Sequence, residues 1–235
     1  MKRFALPLIL AGLPLAQALE VIPAPVDHVF VPAGFDNNDN VELVVTGRFP
    51  STCYSRNKVE VKVVNDVIDV KVTSFTTRNT RDNCLTMAVP FTEVVTVGNL
   101  QAGNYRIAVN ARTATPLRDR LTVSESRSNS MDDFIYAQVD YVDLGFAGGQ
   151  SGSAWLRAQL PSPCLAFDRV EYLSNGKDVI SIMPIMKRLS DFCPMKMVPY
   201  EIPVRYDISN MTAKKVLLFS RSIDGKSVST VVNRD

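Results

Sequence analysis

The chain has 235 residues, 46% of them hydrophobic and 21% charged. That is the composition of a globular protein with enough apolar residues for one large domain or two ordinary ones, and it excludes disordered and collagen-like classes. Its formal net charge of +2 carries no basic excess that would point to nucleic acid or an anionic membrane surface.

The chain opens on "MKRFALPLILAGLPLAQA". Lys2 and Arg3, an apolar run from Phe4 to Leu15, and Ala16-Gln17-Ala18 form the pattern of a signal peptide over residues 1–18. The run is too short and too often broken by proline for a membrane span, which needs about 20 apolar residues. The expectation is therefore export, periplasmic or secreted, with no transmembrane anchor once the signal is cleaved. Without Lys2 and Arg3 the 26 basic residues become 24, matching the 24 acidic ones.

After an extended "VIPAPV" arm, strand patterns dominate. "VELVVTG" is rich in valine. "KVEVKVV" alternates Val59, Val61 and Val63 against Glu60 and Lys62, the period of a half-buried strand. Asn65-Asp66 reads as a tight hairpin turn into "DVIDVKVTSF". "NYRIAVNA" predicts a later strand before the polar stretch "SESRSNSMDD". That stretch reads as a linker over residues 124–133, with few core contacts crossing it. Beyond it come "RVEYLSNGKDVISI", with Asn175-Gly176 as the stronger hairpin signal, then "KKVLLFSR" and "SVSTVV".

The two halves repeat one another. Pro50-Ser51 and Cys53 recur as Pro161-Ser162 and Cys164. Val59-Glu60 recurs as Val170-Glu171, Asp66-Val67-Ile68 as Asp178-Val179-Ile180, and Val89-Pro90-Phe91 as Val198-Pro199-Tyr200. The order is kept throughout. A period of this size is too long for a solenoid and suits whole domains. The expectation is an all-β protein: two tandem immunoglobulin-like sandwich modules, residues 22–123 and 134–235, related by internal duplication. A small closed barrel is the alternative.

Four cysteines allow three pairings, and the repeat selects among them. Each module carries one pair, so Cys53–Cys84 and Cys164–Cys193 are the economical bridges, one disulfide per module. No closely spaced ligand pairs suit zinc, and duplicated pairs are structural more simply than catalytic.

"NLQAGNYRIAVNA" resembles the L-x-x-G-x-Y-x-[IV]-x-V-N strand ending of tandem immunoglobulin-like β-sandwich modules in secreted bacterial proteins. The resemblance implies fold and compartment rather than an activity. A signal, two sandwich modules and this length also match the plan of periplasmic pilus-assembly chaperones, but the basic anchor residues and alternating donor strand of that family are missing.

Candidate chemistry is sparse. His28 is the single histidine, and its counterpart is Tyr141, so the position calls for a ring rather than a base. Asp36 to Asn40, "DNNDN", offers oxygen ligands for calcium but also suits a solvated turn. The Gly-rich run at Gly148 to Gly152 precedes no helix and does not read as a phosphate loop; Trp155 after it reads as core. Asn210-Met211-Thr212 has the form of a glycosylation sequon. Met195 and Met197 alternate where Thr86 and Ala88 stand in the first half. Either a bulge shifts the register there, or the methionines face outward beside Tyr200 as an adaptable contact strip that the first module lacks. The functional expectation is an exported, non-catalytic binding or structural protein with no cofactor and no metal, contacting a protein or glycan partner through Met195, Met197 and Tyr200. An assembly-chaperone role, or a glycan-acting enzyme, is the alternative.

Overall fold

The computed structural model describes residues 19–77, 84–145 and 151–234. The expected signal peptide and residues 148–150 of the Gly-rich run lie outside the described residues.

The first half contains β1 (Leu19–Pro23), β2 (Val26–Phe30), β3 (Phe35–Asp36), β4 (Val41–Phe49), β5 (Tyr54–Val64), β6 (Val67–Thr77), β7 (Val89–Gly98), β8 (Gly103–Val109) and β9 (Leu117–Ser124). The second contains β10 (Ile135–Tyr136), β11 (Gln138–Leu144), β12 (Ser151–Leu160), β13 (Leu165–Ser174), β14 (Val179–Arg188), β15 (Val198–Asp207), β16 (Lys215–Arg221) and β17 (Ser227–Asn233). No described helix is long and apolar enough to cross a membrane, which says nothing about strands.

Each half is a two-sheet sandwich. In the first, the sheet β1-β6-β8-β9-β3, with β5 on the other flank of β6, faces the sheet β2-β4-β7. In the second, β10-β14-β16-β17, with β13 flanking β14, faces β11-β12-β15. Apart from β3, which pairs parallel to β9 and has no counterpart, the pairings correspond, down to a parallel ladder of β6 with β8 and of β14 with β16. An immunoglobulin sandwich is built of two antiparallel sheets. The parallel ladder is a departure from that plan: the hairpin β5–β6 places its second strand, not its first, beside β8.

Local chemistry explains the details. Asn65 adopts a left-handed φ of 54° in the hairpin between β5 and β6, which asparagine tolerates. The expected tight turn at Asn175-Gly176 is a wider loop, because the Asn175 side chain organises it. Its Oδ1 accepts the backbone N–H groups of Lys177, Asp178 and Val179 at 2.9, 2.9 and 3.0 Å. Pro184 stands in the interior strand β14, where a missing N–H would normally break a ladder. It falls between the stretch paired to β16, which ends at Ile182, and the stretch paired to β10, which begins at Ile185.

The two sandwiches share a core. Side chains alternate across the β14-β16-β17 sheet, so its two faces enter different clusters. Ile180, Ile182, Val216, Leu218 and Val232 line the core of the second sandwich. Val179, Leu217 and Phe219 join the core of the first, with Phe30, Val44 and Phe35. The sheets β2-β4-β7 and β14-β16-β17 therefore pack face to face, making four layers in all. This explains why β4 and β14 are buried on both faces almost throughout.

The connection 124–133 is not the free hinge that its polar composition suggested. It straps the loop Asp36–Asn40: the Asn37 Oδ1 accepts the Ser126 N–H at 3.0 Å, and the Asn38 side-chain amide donates to the Ser128 carbonyl at 2.9 Å. Few core contacts were expected across the boundary; the shared cluster corrects that reading.

Candidate functional site

Cys53–Cys84 and Cys164–Cys193 are the two disulfides, with Cα atoms 5.4 and 5.6 Å apart. Each ties the start of one strand to the loop leading into another, β5 with β7 and β13 with β15. In the second half this clamps the segment between β14 and β15. The Leu189 N–H donates to the Cys164 carbonyl at 2.7 Å and the Lys196 N–H to the Pro161 carbonyl at 3.2 Å.

Apolar side chains project from that clamped loop into solvent. Phe192 is 92% exposed, Met195 91%, Leu189 61% and Met197 47%. Met195 and Met197 precede β15, and they face outward as one of the two sequence alternatives held. Met183 and Met186, by contrast, are buried. Tyr200 does not join the exposed strip. It shares the inner face of β15 with Ile202, Val204 and Tyr206, packs against the second core, and lies 6.4 Å from the Phe167 ring. The first module also does not lack such a strip, since Leu85 and Met87 are exposed at the matching place. Phe192 was missed because a lone aromatic in a loop carries no periodic signal. Its position next to a disulfide cysteine was the available clue.

Trp155, expected in the core, is 39% exposed on the outer face of β12, opposite Pro203 of β15. The strand alternates, and Ala154 and Leu156 take the inner positions.

His28 lies at the junction of the sandwiches. Its Nε2 is 2.7 Å from the carboxylate of Asp178, whose side chain is fully buried. Asn175 donates to the other Asp178 oxygen at 2.8 Å and to the Val31 carbonyl at 3.1 Å, so one amide joins both halves. Burial alone would raise the Asp178 pKa. The hydrogen bonds from His28 and Asn175 and the charge of Lys177 more than offset it, holding the carboxyl below its usual value. Tyr141, the counterpart of His28, is exposed, so the two rings occupy different surroundings.

The loop Asp36–Asn40 is the other junction element. Asp39 receives Arg221 in a bidentate pair, Nη1–Oδ1 2.9 Å and Nη2–Oδ2 2.7 Å, with both side chains buried. Arg221 also donates to the Gly34 carbonyl and lies over the Phe35 ring, 4.9 Å from its centroid. Burial would lower the Arg221 pKa, but the bonds to Asp39 and the nearby Asp132 hold it above the usual value. The "DNNDN" oxygens considered for calcium thus have a different use, since the Asp39 carboxylate is committed to a guanidinium. No group of three or more His, Cys, Asp or Glu side chains is placed to hold a metal among the described residues.

A third feature is a cleft of about 470 Å³ at the open edge of the first sandwich, between β5 and β7. Phe49, Val59, Val72 and Phe91 line it, and Arg56 and Glu93 stand at its rim.

Residues 43–117 match the family model of the ORF11 beta-sandwich domain. The match runs from β4 to the start of β9, about a third of the chain, and it agrees with the sandwich described above. No curated protein and no solved structure matches the chain.

Proposed function

We propose that the chain is an exported, non-catalytic binding protein that contacts a protein or glycan partner at the cell envelope or outside it. The disulfide-clamped loop of the second sandwich is its contact surface. The observation that carries this reading is the exposure of Phe192 and Met195, at 92% and 91%, on a loop that Cys164–Cys193 holds in place. Large apolar side chains kept in water on an ordered loop have no role in the protein's own core. A pre-ordered loop also loses less entropy when a partner covers it. Met195 and Met197 supply an adaptable surface. The disulfides fit an oxidising compartment, and matching strand orders in the two halves support a duplicated sandwich module. The commitment of His28 to Asp178 favours a structural over a catalytic use of the single histidine.

A pull-down from envelope extract tests the reading, with the wild-type chain against the Met195→Ala/Met197→Ala variant. Capture of a discrete partner that the variant loses supports it. Equal capture by both chains removes the loop from the account.

A second reading, a strand-accepting assembly protein, has one specific observation in its favour. β7 and β15 are edge strands. β15 carries prolines at Pro199 and Pro203, a device that blocks edge pairing. β7 carries only Pro90 and has Val94 where Pro203 would correspond. A strand-shaped partner would therefore add to the first sandwich, and a Val94→Pro substitution would stop it.

A further inference from the structure

We propose that the cleft between β5 and β7 binds a small amphipathic anion, an aliphatic or aromatic carboxylate. Its apolar body lies on Phe49, Val72 and Phe91, and its carboxylate meets Arg56.

The cleft exists because β5 leaves its ladder. Pairing with β6 jumps from Arg56↔Ser74 to Val59↔Val72, and the intervening Asn57 and Lys58 bulge away. The bulge is held open by its own bonds, since Thr73 Oγ1 donates to the Lys58 carbonyl and accepts from the Asn57 side-chain amide, both at 3.0 Å. Aromatic rings form the floor. Phe49 and Phe91 stack with centroids 4.6 Å apart. Phe91 can lie this deep because Gly47 faces it across the β4–β7 ladder, where an added Cβ would come within 2.5 Å of the ring.

The second sandwich shows what this place looks like when it is closed. The pairing Phe167↔Met186 stands where Arg56↔Ser74 stands in the first. Ile202 and Tyr200 take the places of Glu93 and Phe91, and Ala158 that of Gly47. The second half thus has apolar groups at the three positions where the first has Arg56, Glu93 and Ser74. The Ser74 hydroxyl is fully buried with no hydrogen-bond partner, which costs stability in a core. A sandwich selected for stability alone would use the apolar set. The polar set gives instead a cleft with aromatic rings at its floor and the Arg56–Glu93 pair at its mouth.

Hydrogen-bond donors at the mouth set the polar group of the ligand. Arg56 bonds Glu93 through Nη1 alone, at 2.6 Å. Its remaining guanidinium N–H groups can take a second carboxylate in the planar geometry that arginine favours. Lys58, also on the rim, is paired with Glu60.

The test is titration of the full oxidised chain with decanoate, followed by NMR and calorimetry, with decanol as the neutral control. The proposal expects saturable shifts of the Val59 and Val72 methyl and Phe49 and Phe91 ring signals, with decanol at least tenfold weaker. Arg56→Ala, a change at a largely exposed side chain, weakens decanoate at least tenfold while the melting temperature stays within a few degrees. Arg56→Phe with Glu93→Ile, the residues of the second sandwich, abolishes binding and raises the melting temperature. No saturable shift at millimolar decanoate, shifts confined to another surface, or equal affinity for decanol and decanoate in wild type would each overturn it.

Discussion

Arg221 and Asp39 form a buried ion pair across the two sandwiches, and removing either partner strands a charge away from water. Arg221→Met is expected to destabilise the chain by about 3–5 kcal/mol in urea unfolding. Adding Asp39→Leu to it should cost less than the sum of the two single changes. Additive losses would mean that the pair is not coupled. The acids of the junction respond to pH with opposite signs. The folded pKa of Asp178 lies below its ordinary 3.8, so its contribution is present above that value and is lost as pH falls through the folded pKa. Glu42 lies above its ordinary 4.5, because burial outweighs the hydrogen bond from Ser227 and the charge of Arg221. Its protonated form favours folding, an advantage present below 4.5 and lost as pH rises through the folded pKa. Asp178→Asn should lower stability at pH 7 and flatten the acid limb below about 3.8. Glu42→Gln should raise stability at pH 7. The reverse order of the two melting temperatures at pH 7 would contradict the account of the junction.

The strands differ in how openly their sequences declare them. "KVEVKVV" alternates because β5 is a half-buried edge strand; Val59 and Val61 pack against the first core as the pattern predicts, whereas Val63, near the strand's end, is exposed. "VELVVTG" and "VISIMPIM" do not alternate, because β4 and β14 are covered on both faces. Their continuous apolar runs were the sign of a sheet inside a stack. Pairing order is a different matter: β6 rather than β5 lies beside β8, and no residue pattern encodes which strand of a hairpin turns inward. The cysteine bridges were legible from the repeat alone. The contact loop was only half legible, since outward Met195 and Met197 follow from parity whereas the inward Tyr200 follows from the start of β15. Met195→Ala with Met197→Ala should shift the melting temperature by no more than a degree or two, while the buried Met186→Ala should cost about 2–5 kcal/mol. Equal losses in thermal melts would place all three in the core. Replacing Cys53 and Cys84 with serine opens a loop of 31 residues, and chain entropy predicts a loss of about 3–4 kcal/mol. Denaturant curves of the oxidised and substituted chains measure it.

Four sheets stacked in order should make the molecule unfold as one body, although its halves have similar strand orders. Phe219, a strand residue of the second sandwich, lies in the core of the first. Asp39 of the first pairs with Arg221 of the second, and Asn175 bonds groups in both. The polar linker gave no hint of this, because the backbone groups of Ser126 and Ser128 tie it to the loop beneath, and backbone bonds leave no mark in composition. A first sandwich cut out at residue 123 would expose Phe30 and Val44, so it should bind a hydrophobic dye or associate. Scanning calorimetry of the intact oxidised chain tests the shared core most directly. The account predicts a single transition whose calorimetric and van't Hoff enthalpies agree. Two resolved transitions, each with about half the total enthalpy, would contradict it.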